Sequence, residues 1–209
     1  MGIIINPRGT SGSGKTELVR RLLADYGWNS AGSPEPLRRP GRDRPIGYRL
    51  QHPLGRAPLM VLGHYDRPTG GCDTIGAMDG GLDEIYRLAN RWASAGHDVL
   101  LEGSAWSADY MRSAALAARH SLYVLFLSTT VEQCARNLVR RRRLGRHAYP
   151  SLRKASLAQE LSIRAACSSL ESVAAVEHWE FEGALIRARE LLGLGRTCDS
   201  SAAAAAPIL

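Results

Sequence analysis

Apolar residues along this chain follow two alternating patterns. Short, mostly apolar runs occur at Ile3 to Asn6, Pro58 to Tyr65, His97 to Gly103 and Leu122 to Leu127. Between them lie longer segments in which apolar residues recur every three or four positions. The runs have the length of strands buried on both faces, and the periodic segments read as amphipathic helices. One helix is predicted over about 15 to 26, with Leu18, Val19, Leu22 and Leu23 inward and Arg20 and Arg21 outward. The next spans 82 to 95, where Leu82, Ile85, Tyr86, Ala89, Trp92 and Ala93 share a face and Gly96 closes the segment. Further helices are predicted over about 107 to 119, 131 to 143, 157 to 173 and 183 to 192, with a short fifth strand near His178-Trp179-Glu180. Strands alternating with helices imply an α/β fold: a five-stranded parallel sheet, helices on both faces, and ligands at the carboxyl ends of the strands.

Two stretches depart from this alternation. Residues 29 to 57 are rich in Pro, Gly and Arg and read as an irregular connection, with a short edge strand available at Ile46-Gly47-Tyr48. A connection this long inside one domain suggests a functional insertion. The stretch 195 to 209 is Ala-rich and short of core residues, which predicts disorder. The expectation is therefore a single domain over 1 to 194 followed by a tail.

Charge adds a partner class. The 209 residues carry 27 basic and 20 acidic side chains, a net charge of +7, and only Lys15 and Lys154 among the basic residues are lysines. A GC-rich genome accounts for arginine over lysine but not for the positive sign, which favours nucleotide phosphates or a nucleic acid backbone. Cys72, Cys134, Cys167 and Cys198 are widely spaced, with no C-x-x-C and no metal-ligand spacing, so reduced thiols and no structural zinc are expected. No apolar run approaches a membrane span, and the chain passes directly into its first strand, so a cytoplasmic protein without a signal peptide is expected.

The most specific chemistry lies between the first strand and the first helix. Gly9-Thr10-Ser11-Gly12-Ser13-Gly14-Lys15-Thr16 satisfies G-x-x-x-x-G-K-[ST], a pattern whose backbone N–H groups and helix N-terminus cradle phosphate. A Gly/Ser linker is the plain alternative, but a linker requires neither the strand before nor the helix after. In this reading Lys15 reaches the outer phosphates of ATP, and the Thr16 hydroxyl helps to hold Mg²⁺. Glu102, after Val99-Leu100-Leu101, is the candidate second metal or water-organising residue; capping a helix is its structural alternative. Phosphoryl transfer to an alcohol also uses a base, for which Asp66 is the first candidate and Asp73 the second. Either aspartate also fits a turn residue bonding nearby backbone. On the helix after the fourth strand, Arg136, Arg140 and Arg143 line one face. They fit a lid over about 136 to 152 that closes on the nucleotide, with Arg140 neutralising transition-state charge; the alternative is a solvated face. No N-K-x-D motif is present, which disfavours a regulatory GTPase.

These residues resemble the small P-loop kinases of the nucleotide-kinase group and, more narrowly, the bacteriophage 5-hydroxymethyluracil DNA kinases. The stretches that carry the resemblance are IINPRGTSGSGKTELVRR, GRDRPIGY, VLGHYDRPTGGCDTI, LDEIYRLANRWASAGHDVLLEG and LSTTVEQCARNLVRRRR. The resemblance implies a thymidylate-kinase-like three-layer fold and transfer of the γ-phosphate of ATP to 5-hydroxymethyluracil already in DNA. It also implies a place in thymidine hypermodification that shields phage DNA. The arginines at 38, 39, 42 and 44 would then track the DNA backbone. Two other readings stay open on the residues alone: a kinase of a nucleoside, nucleotide or antibiotic, and an ATP-dependent DNA-binding switch without transfer activity.

Overall fold

The computed structural model describes residues 2–28, 34–65 and 70–195. The predicted tail therefore lies almost wholly outside the described residues, as do Asp66 and Cys198. Seven strands form one sheet: β1 (Ile4–Arg8), β2 (Glu35–Leu37), β3 (Gly47–Leu50), β4 (Leu59–Leu62), β5 (Asp98–Leu100), β6 (Leu122–Leu127) and β7 (Ala175–Trp179). Their order is β2-β3-β4-β5-β1-β6-β7. The run β4-β5-β1-β6-β7 is parallel and corresponds to the five predicted strands. The sheet has seven strands rather than five because the 29 to 57 connection is not irregular throughout. It supplies β2 and β3, which pair antiparallel with each other and with β4.

Adjacent residues of a strand point to opposite faces, and this alternation divides the interior into two cores. Ile4, Met60, Leu62, Val99, Val124 and Phe126 face one side of the sheet, while Ile5, Leu59, Val61, Leu100, Leu125 and Leu127 face the other. The first core is closed by α2 (Gly81–Ser94), α4 (Met111–Ala117) and α6 (Tyr149–Leu170), through residues including Ile85, Leu116 and Ile163. The second is closed by α1 (Lys15–Asp25) and α7 (Phe181–Leu192), through Leu18, Leu22, Leu185 and Ala188. The result is a three-layer mixed α/β fold.

Two helix boundaries differ from expectation for identifiable reasons. The helix expected over 107 to 119 is confined to α4, preceded by a separate single turn, α3 (Ser104–Ser107), and the break falls where the Asp109 side chain accepts from the Arg112 N–H at the start of α4. The helix expected from about Leu157 begins instead at Tyr149, with Pro150 in its first turn. Pro150 reads as a loop residue in sequence, but a first-turn proline lacks only an N–H that would be unbonded within the helix anyway. The predicted lid segment is consequently divided among the end of α5 (Val131–Arg141), a turn, and the start of α6. The two helices pack as a pair, with Arg153 bound to Glu132 at 2.8 Å. No helix among the described residues is long and apolar enough to cross a membrane.

Candidate active site

The carboxyl ends of the parallel strands share one rim, and the connections leaving them meet there. The loop from β1 into α1 holds Gly9, Gly12 and Gly14 at φ of 148°, 92° and 104°, conformations closed to most side chains. Gly12 has a second constraint, because a Cβ there would lie 2.6 Å from the Cys134 carbonyl oxygen of α5. The loop is also held from outside. The Asn137 amide donates to the Gly12 carbonyl at 2.8 Å, Thr129 Oγ1 donates to the Ser13 carbonyl at 3.0 Å, and the Ser11 N–H donates to Gln159 Oε1 at 2.8 Å. The α5–α6 pair thus fixes the loop from the side opposite β5.

A cavity of about 410 Å³ opens above this loop. Ser11, Gly12, Gly14, Lys15 and Thr16 line it from the loop, Glu102 from just beyond β5, Asp73 from the turn Cys72–Thr74 in the connection after β4, and Asn137 and Arg141 from α5. Gly9, Thr10 and Ser13 stand behind that surface. The Gly9 and Thr10 carbonyls accept from Lys15 Nζ at 2.6 and 3.2 Å, and the Ser13 N–H closes the turn on the Thr10 carbonyl. Lys15 is only 6% exposed and Glu102 only 2%. Burial pulls the Lys15 ammonium below its usual range, against the opposing fields of Glu102 and Asp73. Burial pushes the Glu102 carboxyl up to about 7, opposed by Lys15 and by the Thr16 hydroxyl, which donates to Glu102 Oε1 at 3.0 Å.

Of the two candidate bases, Asp66 lies outside the described residues. Its neighbour Tyr65 accepts a hydrogen bond through its carbonyl from Arg20, another residue of the cavity wall, at 3.1 Å. Asp73 lines the cavity and accepts from the N–H groups of Ser104 at 2.8 Å and Ala105 at 3.3 Å, so it also anchors the start of α3. Arg136, Arg140 and Arg143 are exposed and do not line the cavity. The α5 arginine that does is Arg141, one turn beyond Asn137 on the row that faces the loop. A 3.6-residue period establishes which residues share a row, not which row turns towards a loop packed from elsewhere in the chain.

Sequence reasoning missed Arg8, the last residue of β1, which is fully buried. Its Nε donates to Asn6 Oδ1 at 2.8 Å, and its guanidinium also donates to the Ser107 and Asp109 carbonyls, each at 3.0 Å, and to the Ser113 hydroxyl. Asn6 in turn donates to the Leu101 carbonyl at 2.9 Å, beside Glu102. This network fixes the root of the glycine-rich loop against the strand end that carries the buried glutamate. A signal was present: Asn6 and Arg8 are two apart, hence on one face of a strand otherwise apolar on both.

The fold and this crevice define a mixed α/β protein with a polar site at the carboxyl rim of a mostly parallel sheet. Comparison with known proteins narrows that class. No family model matches the chain, but the 5-hmdU DNA kinase of Pseudomonas phage PaMx11 is 41% identical over 140 residues, which are 66% of this chain and 69% of that protein. The chain belongs to the 5-hmdU DNA kinase family.

Proposed function

We propose that this protein transfers the γ-phosphate of ATP to the 5-hydroxymethyl group of 5-hydroxymethyluracil within DNA. One observation carries the reading: a buried lysine, a hydroxyl-bound buried glutamate and a second carboxylate converge on one cavity above a glycine-rich turn in a member of this kinase family. In this reading the P-loop spans Gly9 to Thr16, its backbone amides hold the phosphates, and Lys15 balances charge on the outer ones. Thr16 and Glu102 suit a hard cation, since they offer two oxygens 3.0 Å apart, one belonging to a carboxylate that burial leaves short of positive charge. Mg²⁺ held there would neutralise charge on the phosphate oxygens.

The acceptor oxygen forms a bond to phosphorus as the bond to the departing ADP oxygen breaks, and the hydroxyl proton passes to a carboxylate. The connection from His64 to Asp73 supplies that carboxylate, either Asp73 or Asp66. One domain over 1 to 194 houses these parts, and the transfer is one step in a thymidine hypermodification that shields phage DNA. The α5 arginine poised over the nucleotide is Arg141 rather than Arg140. Arg141→Ala is therefore expected to reduce transfer by about tenfold to a hundredfold, and Arg140→Ala to leave it within about twofold, in steady-state assays run side by side. Equal losses would remove the distinction between the two rows of α5.

Labelled ATP incubated with a hydroxymethyluracil-containing duplex, an unmodified duplex and free nucleosides tests the proposal. Label is expected in the modified duplex alone. Label confined to nucleosides would make the protein a small-molecule kinase, and ATP-dependent DNA binding without labelled product would make it a switch.

A further inference from the structure

A second cavity, of about 390 Å³, lies on the same rim between the β2–β3 insertion and the end of β4. Its position follows from strand register. Gly47 pairs with both Leu37 and Leu62, so the residues just after Leu37, just before Gly47 and just after Leu62 emerge together beside the first site. Trp28, Tyr48 and His64 contribute aromatic walls, while Arg38, Asp43 and Arg44 contribute charge. The walls are mutually braced: the Trp28 and Tyr48 rings meet edge to face at 4.7 Å, Tyr48 stacks on His64 at 6.0 Å, and the Tyr48 hydroxyl is hydrogen-bonded to His64 Nδ1.

His64 also joins this cavity to the phosphate-loop site. It forms a bridge with Gly71, its N–H donates to Thr74 Oγ1 at 3.0 Å, and Thr74 lines the first cavity. From the other side, the Arg42 guanidinium donates to the Thr74 carbonyl and pairs with Asp79 at 3.3 Å. The insertion is therefore fastened to the segment that carries Asp73, and the two cavities are neighbours across a single connection.

We infer that this second cavity receives a pyrimidine base swung out of the DNA stack and so presents its 5-substituent to the phosphate-loop site. The inference rests on the DNA-kinase reading and specifies how the acceptor is held. Aromatic faces stack on a base whatever its sequence context. A uracil edge presents an N–H donor between two carbonyl acceptors, and a wall offering a carboxylate alongside arginine donors matches it in kind. The exposed arginines at the mouth also suit the phosphates flanking an extruded nucleotide. A pocket that merely tracked the backbone would have no use for a braced aromatic wall.

The test uses the intact protein with Asp43→Asn, an exposed change, and Trp28→Ala. Two readouts are taken on each: the kcat and KM for modified duplex, and quenching of tryptophan fluorescence by a short single strand carrying hydroxymethyluracil or an abasic site at the same position. Both variants are expected to raise KM for DNA by about tenfold with unchanged ATP binding, and the abasic strand to quench far less than the base-bearing one. Unchanged KM in both variants, or equal quenching by the two strands, overturns the base pocket while leaving the kinase reading intact. If the wild-type protein transfers no phosphate to modified DNA, the kinase reading falls and the quenching comparison alone decides the pocket: base-dependent quenching weakened in Asp43→Asn upholds it, and its absence ends it.

Discussion

Lys15→Met is expected to lower phosphate transfer by about a thousandfold or more while leaving the protein folded. Folding is retained because the site is already a poor one for charge. Lys15 is 6% exposed, and removal from water already disfavours its charged form. Methionine fills similar space without a charge to desolvate. What it removes is the donor to the Gly9 and Thr10 carbonyls, at about 1 kcal/mol for each hydrogen bond, offset by relief of the buried ammonium. The thermal midpoint should therefore stay near that of the unaltered protein. Activity has no such compensation, because the other basic residues lining this wall, Arg20 and Arg141, approach from further along α1 and from α5 rather than from the loop, and Arg20 is engaged with the Tyr65 carbonyl. Thermal melts and transfer assays on the same preparation check both halves. Turnover within tenfold of the parent would mean that phosphate is held elsewhere.

The parallel core is legible in the sequence because strands buried on both faces leave unbroken apolar runs, and each of those runs became a strand. The glycine-rich turn is legible because its backbone demands leave residue-level traces. The β2 strand left none: Glu35-Pro36-Leu37 is three residues long, mostly exposed, and carries a proline tolerated only at a sheet edge. Its existence depends on β3 lying beside it, a long-range fact. The same limit governs α5. Its two polar rows, Arg136 with Arg140 and Asn137 with Arg141, are equivalent by spacing, and the packing of Cys134 and Leu138 decides which row meets the loop. Arg8 was obscured for a different reason: a charged residue at a strand end ordinarily marks solvent, and here its Nε and both terminal nitrogens find oxygen acceptors inside the protein. The close approach of Glu102 to Gly71 was hidden for the same reason as β2, since it joins residues far apart in the chain.

That contact supports the second large prediction, Gly71→Ala. Gly71 has φ 78° and ψ −160°, a region glycine occupies far more readily than any L-residue with a side chain. A Cβ there would lie 2.3 Å from Glu102 Oε1 and 2.6 Å from the Glu102 carbonyl oxygen. Neither atom has an easy retreat. The carbonyl accepts from the Cys72 N–H at 2.7 Å, and Oε1 accepts from Thr16. Alanine must therefore push the carboxylate off Thr16 or lift the His64 to Asp73 connection from its bridge at His64. The expected cost is about 2–4 kcal/mol of stability, with transfer down by more than about a hundredfold. The Gly9 to Thr16 loop has its own supports in α5 and α6, so nucleotide binding without metal should persist. Gly76→Ala is the matched control a few residues away: Gly76 has φ −78°, and nothing lies within 4 Å of its added Cβ, so a change within about 0.5 kcal/mol is expected. Denaturant midpoints and transfer rates for the two variants separate the alternatives. If Gly71→Ala behaves like Gly76→Ala, the glutamate is not held by this backbone and its proposed part in metal binding loses its structural support.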